Sequence, residues 1–236
     1  MTGVHTCALP ISETLWLVHR LENQASLYGG KVHVVLGNHE IMILLGDHRY
    51  LHHKYANIMD YYAFRYDEWF GLDSEIGRYI RSKPAMIKLG SNLFVHAGIS
   101  PELLKARLNA KKINTLLYEF LTQPPKKPDT TMMLLLLERG PFWFRGFLKE
   151  YDIRDEVDEL YIQNVLEAFQ ADRIIVGHSE VEGIEPRYDG KIWAVNVPFH
   201  AKSIRPMALL IKNEEFFALD SEGNQYKFSK STFEKK

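Results

Sequence analysis

The chain has 236 residues, a formal net charge of −1 and 46% hydrophobic residues. This is the composition of an ordinary globular protein with room for a sizeable core, and its charge gives no reason to expect a nucleic acid or a membrane surface as partner. No apolar run approaches the roughly 20 residues of a membrane-spanning helix. The single cysteine, Cys7, excludes an internal disulfide. The compartment stays open, with the cytoplasm favoured.

The first eleven residues are expected to be non-native. Residues 2–11 look like the translated end of a sequencing adapter, with His5 where Gln usually stands. Such segments are excluded from fold reasoning. We therefore predict a domain over residues 12–220 that was cut from a longer protein, followed by a polar tail over residues 221–236.

A helix and a strand open the predicted domain. Ser12 is a suitable helix cap, and Leu15, Val18 and Leu21 recur at helical spacing up to the Gly29-Gly30 break. The β-branched run at residues 32–36 then predicts a buried strand. Helix and strand form the second half of a βαβ unit whose first strand is absent, so we expect the fold to lack its first strands.

The remaining chain mixes helical and strand patterns, which predicts an α/β fold with a meander of short strands at the end. The helices are expected at residues 41–45, 73–80, 101–108, 113–121 and 155–169. The strands are expected at residues 85–89, 93–96, 173–176, 187–188, 192–197, 207–211, 216–219 and 226–228.

Three of the predicted strands end in a tight turn that carries a histidine. The turns are GNHE at residues 37–40, HAG at 96–98 and GHS at 177–179. Strands of a parallel or mixed sheet bring such ends to one edge, where ligands bind. Each histidine alone is more simply a residue satisfied by hydrogen bonds, but imidazole is the commonest metal ligand, and three together predict a metal pocket.

These motifs, taken in order, resemble those of a known family. GNHE, FVHAGISPE at residues 94–102 and IIVGHS at 174–179 are similar to the calcineurin-like metallophosphoesterases, and more narrowly to their bacterial Shewanella-like phosphoprotein phosphatases. GDHRY at residues 46–50 and GPFWFRG at 140–146 support that branch. The resemblance covers about residues 13–219 and implies an αββα sandwich.

The resemblance also implies a site with two divalent ions, Mn, Fe or Zn, and a bridging hydroxide. Carried over, Asn38, His96 and His178 bind the second ion. An amide oxygen and neutral imidazoles add no negative charge, which leaves the ion Lewis-acidic. His39 is the implied general acid that protonates the leaving group.

Other residues near these motifs are weaker candidates. Arg145 is implied as the clamp for phosphate oxygens, although stacking on Trp143 or Phe144 explains it equally well. His200 follows a strand and is a possible neighbour of the metals, whereas Glu40 fits a supporting role better than a chemical one. His48, His52 and His53 are most simply a solvated face.

Two motifs of the family, GDxHG and GDxxDRG, are absent from this sequence. They supply the remaining ligands, including the carboxylate that bridges both metals, so at most one partial metal site is expected here. The predicted function is metal-dependent hydrolysis of phosphomonoesters, on phosphorylated Ser, Thr or Tyr of proteins or on small phosphoesters, with this chain inactive or nearly so. A phosphodiesterase or nucleotide-polyphosphate hydrolase is the alternative within the family. A non-catalytic remnant that binds a partner, through exposed aromatics near residues 142–147, is the alternative outside it.

Overall fold

The computed structural model describes residues 11–50, 55, 57, 61, 65–148, 157–198 and 204–229. The helices are α1 (Ile11–Leu27), α2 (Asn38–Leu44), α3 (Tyr66–Trp69), α4 (Glu75–Arg81), α5 (Pro101–Lys105), α6 (Ala110–Thr122), α7 (Thr130–Leu136) and α8 (Glu159–Phe169). The strands are β1 (Met86–Leu89), β2 (Asn92–Val95), β3 (Arg173–Val176), β4 (Glu185–Arg187), β5 (Ile192–Ala194), β6 (Met207–Lys212), β7 (Glu215–Asp220) and β8 (Gln225–Lys227).

Strands β1 to β5 form a mixed sheet in the order β1-β2-β3-β5-β4. The central strands β2, β3 and β5 are parallel, and the outer strands β1 and β4 pair antiparallel to their neighbours. Because the three central strands point the same way, their carboxyl ends lie at one edge. The predicted α/β class is confirmed.

A second sheet of three antiparallel strands, β6-β7-β8, packs against the first. The contact is aromatic: the rings of Trp193 on β5 and Phe216 on β7 stack with centroids 4.4 Å apart. Strand β8 lies inside residues 221–236, which were predicted to be a polar tail, so the first part of that segment belongs to the sheet. None of the described helices is long and apolar enough to cross a membrane.

The helices begin where side chains satisfy their first backbone N–H groups. The capping residues are Ser74, Ser100, Asn109, Asp129 and Asp158, each of which accepts a hydrogen bond from the third residue that follows it. Helix α1 starts one residue before Ser12, so the prediction of Ser12 as its cap is wrong. In α8 the buried residues include Ile162, whereas Leu160 is 69% exposed.

Residues 32–36 do not form the predicted strand. Among the described residues their one backbone hydrogen bond runs from Leu36 N–H to the carbonyl of Pro84, 3.0 Å away. A strand needs a ladder of such bonds to a neighbour, and residues 32–36 belong to neither of the two described sheets. Leu36 is buried, as the apolar pattern predicts. An apolar segment becomes part of a sheet, however, only when a neighbouring strand pairs with it.

The three phenylalanines in and just after the GPFWFRG segment are core residues, whereas Trp143 is half-buried. Phe142, Phe144 and Phe147 are at most 2% exposed. The rings of Phe144 and Phe147 pack edge to face, with centroids 5.7 Å apart. The expectation that exposed aromatics near residues 142–147 bind a partner is therefore wrong, since these rings pack under the loop that carries His96.

Candidate functional site

Two histidines meet at the carboxyl edge of the first sheet. Val95 of β2 pairs with Val176 of β3, so His96 and His178 leave the sheet at neighbouring positions. The N–H of Gly177 donates to the carbonyl of His96 over 2.8 Å, which continues the pairing beyond the strands. The backbone of His178 has a φ of 61°, in the left-handed region that few non-glycine residues adopt. This unusual turn directs the ring towards His96.

The first residue of α2 completes a cluster of three donor atoms. Nε2 of His96 lies 2.8 Å from Oδ1 of Asn38 and 3.1 Å from Nδ1 of His178. Asn38 is 4% exposed. Just before it, the N–H of Gly37 donates to Oε2 of Glu40 over 2.8 Å, which secures the start of the helix. The structure thus brings together the three residues that the resemblance assigned to one ion.

The electrostatics of this cluster keep its imidazole rings neutral. Burial lowers the pKa of His96 to about 3 and that of His178 to about 2. The guanidinium of Arg145 and the neighbouring histidines, when they are protonated, act in the same direction. Burial also lowers the pKa of His39. A neutral imidazole presents a lone pair on one ring nitrogen, which is the form that binds a metal ion.

Glu40 is half-buried next to this cluster, with its carboxylate hydrogen-bonded to Gly37. Burial raises its pKa, and the hydrogen bond from the Gly37 N–H only partly opposes that effect. Its contact with the backbone of Gly37 fits the supporting role expected for it.

The residues present fit one divalent cation. Asn38 Oδ1 and His178 Nδ1 both lie within hydrogen-bonding distance of His96 Nε2, and all three groups are neutral. The second ring nitrogen of His178, Nε2, is buried without a hydrogen-bond partner in the described part of the chain. Residues 11–50, 65–148, 157–198 and 204–229 contain no group of three or more His, Cys, Asp or Glu side chains suited to a metal. What the described residues offer to an ion is therefore the cluster of one amide oxygen and two imidazole nitrogens.

Arg145 is held against the same turn. Its Nη1 donates to Oγ of Ser179 over 3.0 Å and to the carbonyl of His178 over 3.3 Å. The arginine that lies over the ring of Phe144 is Arg139, with its guanidinium carbon 5.6 Å from the centroid. Arg145 thus adds a guanidinium beside the histidine cluster.

The other predicted residues have different positions. His39 is the second residue of α2, half-buried, and its ring contacts Tyr50 with centroids 5.3 Å apart. His200, His52 and His53 lie outside the described residues. His48 is half-buried and lines a cavity together with Arg65 and Arg81, so it is not simply part of a solvated face.

Two residues at the site were missed from the sequence. Ser179 is 3% exposed and anchors Arg145. Trp143 meets the ring of His178 edge-on, with centroids 5.9 Å apart. Ser179 directly follows His178, so its place in the turn was a usable signal. No local pattern connects Trp143 with a turn that lies 35 residues further along the chain.

The chain is similar in sequence to a known family and to known proteins. A sequence model of the calcineurin-like phosphoesterase family matches residues 5–181. An uncharacterised protein of Schizosaccharomyces pombe is 30% identical over 183 residues, which are 75% of this chain and 53% of that protein. Shewanella-like protein phosphatase 1 of Plasmodium berghei is 23% identical over 164 residues, 68% of this chain and 44% of that protein.

The chain is also similar, in both fold and sequence, to solved structures of phosphatases. The cold-active protein-tyrosine phosphatase of a psychrophilic Shewanella species superposes with a TM-score of 0.83 at 30% sequence identity, covering 92% of this chain and 64% of that chain. A second structure titled as a cold-active protein tyrosine phosphatase gives a TM-score of 0.82 at 30% identity, covering 94% and 64%. The chain therefore spans about half to two thirds of the length of these relatives.

Proposed function

The chain belongs to the calcineurin-like phosphoesterase family, and we propose that its site is one half of the centre of a metal-dependent phosphomonoester hydrolase. The observation that carries this proposal is the convergence of Asn38 Oδ1, His96 Nε2 and His178 Nδ1 at one sheet edge, beside Arg145. The proposed substrates are phosphorylated Ser, Thr or Tyr side chains of proteins, or small phosphoesters. The similarity to a protein-tyrosine phosphatase supports that choice.

Asn38, His96 and His178 are the proposed ligands of one divalent cation, which is Mn, Fe or Zn in our proposal. When bound, such an ion supplies Lewis-acid polarisation of a phosphoryl oxygen and lowers the pKa of a coordinated water. The protein's own contribution is to hold three neutral donors in a buried turn, where the depressed pKa values of both imidazoles keep their lone pairs available near neutral pH.

His39 is the proposed general acid. It carries a proton on a ring nitrogen to the oxygen of the leaving group as the phosphorus–oxygen bond breaks. Burial lowers its pKa, whereas a phosphoryl dianion beside it favours the protonated ring. His39 is thus charged most readily when the substrate is present.

Arg145 is the proposed clamp for the non-bridging oxygens of the phosphoryl group. A guanidinium offers parallel N–H donors in a fixed plane, which suits a phosphate better than an ammonium does. Ser179 and the carbonyl of His178 hold this guanidinium through Nη1. The same turn therefore orients both a proposed metal ligand and the proposed phosphate clamp.

Hydrolysis by this chain alone is expected to be slow or absent. The described residues contribute an amide and two imidazoles to the cluster and no carboxylate that bridges two ions. Loss of such a ligand weakens both metal affinity and activation of the attacking water. We propose that the active centre needs carboxylates in addition to the residues described.

The test is metal binding by the purified chain, measured by titration calorimetry with Mn²⁺, together with Mn²⁺-dependent hydrolysis of p-nitrophenyl phosphate. We expect one ion to bind, His96→Ala to weaken that binding about tenfold or more, and hydrolysis to stay at background. The matched control is His33→Ala, because His33 is exposed. Equal Mn²⁺ affinity in His96→Ala and His33→Ala contradicts the ligand assignment. Hydrolysis that His39→Ala abolishes overturns the expected inactivity and supports the general acid.

A further inference from the structure

A cavity of about 770 Å³ opens at the end of α2 opposite to Asn38 and His39. Leu44, the last residue of the helix, and Leu45, which follows it, line this cavity. A seven-residue helix is about 10 Å long, so the cavity and the proposed catalytic site are separate places joined by α2. Cavities of several hundred Å³ are the usual size for small-molecule sites.

The lining of this cavity is positively charged. Two guanidinium groups, from Arg65 and Arg81, line it together with the imidazole of His48, and its described lining includes no Asp or Glu. Leu72 and the two leucines of the α2 end supply apolar surface. A concave site lined by both cationic donors and apolar side chains suits an anion that carries an organic group.

Arg81 is the most informative residue of the cavity because it is 9% exposed and lacks a carboxylate partner in the described part of the chain. Its Nε donates to the carbonyl of Leu121 over 2.9 Å, and Nη1 donates to the carbonyls of Gly77, at 3.1 Å, and Phe70. These oxygens orient the guanidinium without neutralising its charge. A buried charge that is not paired is costly, and an anion in the cavity relieves that cost.

The remaining donors of Arg81 are those of Nη2. Within the described residues Nη2 takes part in none of the hydrogen bonds that hold the side chain, although Arg81 lines the cavity. The carbonyls therefore fix the plane of the guanidinium and leave one of its amino groups to a ligand. Such a preorganised donor binds an oxyanion without a further loss of side-chain freedom.

We propose that this cavity binds a small organic phosphate, with its phosphoryl group between Arg65 and Arg81 and its apolar part against Leu44, Leu45 and Leu72. The site is distinct from the proposed catalytic centre, because none of its lining residues belongs to the cluster of Asn38, His96 and His178. Charge-assisted hydrogen bonds to a phosphate supply the affinity, and the leucines distinguish an organic phosphate from the free ion.

The experiment is a titration of the full chain with phenyl phosphate, followed by the amide signals of Gly46 and Leu72 in heteronuclear NMR, in a buffer free of phosphate and metal. We expect both signals to shift in a saturable way. Because Arg65 is exposed and its loss leaves the core intact, Arg65→Gln is the main variant and should weaken binding about tenfold or more. The matched control is Arg78→Gln, an exposed arginine of α4 that pairs with Glu75 outside the cavity.

Further arms separate this site from the catalytic one. Arg145→Gln should leave the shifts at Gly46 and Leu72 unchanged, whatever it does to phosphate binding near His178. Inorganic phosphate should bind the cavity more weakly than phenyl phosphate does, and equal affinities contradict the role of the leucines. Arg81→Lys keeps the charge but not the planar donors, and should also weaken binding in a chain shown by circular dichroism to be folded.

The proposal is overturned if phenyl phosphate shifts neither amide, or if Arg65→Gln and Arg78→Gln bind it equally well. The proposed function can fail independently, through the absence of Mn²⁺ binding at His96. The phenyl phosphate titration thus tests the cavity, and the Mn²⁺ titration tests the proposed metal site, independently of each other.

Discussion

At Gly37 the space for a side chain is already taken by two other residues. A Cβ at this position lies 2.8 Å from Oε2 of Glu40 and 2.8 Å from Cε1 and Nδ1 of His96. Glycine is required here because the backbone itself approaches the imidazole, not because of a left-handed conformation. The GNHE turn lies directly against His96. For this reason Asn38 of the turn reaches the same site as the imidazole of His96, which is 58 positions later in the chain.

Gly37→Ala should therefore disturb the proposed metal site and the fold together. We expect either Glu40 or the ring of His96 to move, at a cost of about 1–3 kcal/mol in the free energy of unfolding and a clear loss of Mn²⁺ affinity. Urea denaturation and titration calorimetry measure these two effects. The control is Gly30→Ala, where the added Cβ lies 3.4 Å from the nearest atom, the carbonyl oxygen of Ala25. Wild-type stability and affinity in Gly37→Ala are incompatible with this packing.

Among the elements, the edge strand β1 is closed by a side chain and not by another strand. Oδ1 of Asn114, on α6, accepts hydrogen bonds from the N–H groups of Ala85 and Met86, over 2.9 and 3.2 Å, and its Nδ2 donates to the carbonyl of Met86 over 2.8 Å. The amide thus satisfies part of the strand edge in the way that a neighbouring strand does. This cap joins α6 to the sheet, and sequence periodicity gives no sign of it.

The link between α1 and α4 makes the protein's stability depend on pH. Lys83, just after α4, donates to both carboxylate oxygens of Glu22 on α1, over 2.7 and 3.0 Å. Burial by itself raises the pKa of Glu22, but the hydrogen bond from Lys83 holds it below the usual value. A carboxyl with a lowered pKa in the folded state stabilises the fold above its unfolded-state pKa, and this contribution is lost as the pH falls through the folded-state pKa.

Glu22→Gln should consequently lower the free energy of unfolding by about 1 kcal/mol near neutral pH. The difference from wild type should shrink as the pH falls below about 4. Urea denaturation at a series of pH values measures it. Glu75→Gln removes the more exposed pair with Arg78, and should cost at most about 0.5 kcal/mol. A Glu22→Gln deficit that persists unchanged in acid would show that the ion pair is not its cause.

At the scale of the whole molecule, aromatic rings join the two sheets, since both Phe216 and Phe228 pack on Trp193. The ring of Phe216 stacks on Trp193 at an interplanar angle of 13°, and the guanidinium carbon of Arg173 lies 4.9 Å from the centroid of Phe216. Trp193 and Arg173 belong to the sheet whose carboxyl edge carries His96 and His178. The second sheet therefore stabilises the sheet from which these two histidines extend.

Phe216→Ala should destabilise the chain by about 3–5 kcal/mol, since it removes a buried ring and opens a cavity between the sheets. Phe217→Ala on the same strand is the control, because Phe217 faces the other way and is only half-buried. Urea denaturation followed by tryptophan fluorescence compares the two. An equal loss in both variants contradicts the assigned sheet contact.

The sequence predicted those residues of the site that follow directly after a strand. Strands β2 and β3 are short apolar runs, and each is followed directly by a turn with a histidine, so local pattern indicated His96 and His178. The same reasoning failed at residues 32–36, because a strand exists only through hydrogen bonds to a neighbour. It failed also for the aromatics at residues 142–147, since local sequence does not distinguish an exposed ring from a buried one.

The sequence by itself determined the α/β order of elements, the start of a helix at Pro101, and the three motifs whose resemblance identifies the family. Capping, turns and apolar periods depend on residues a few positions apart, and for that reason a sequence displays them. Only the tertiary structure decided that Asn38, His96 and His178 meet, that Ser179 holds Arg145, and that Arg65 and Arg81 share a cavity. Those contacts join residues from 16 to 140 positions apart, and their distances depend on how the sheets and helices pack.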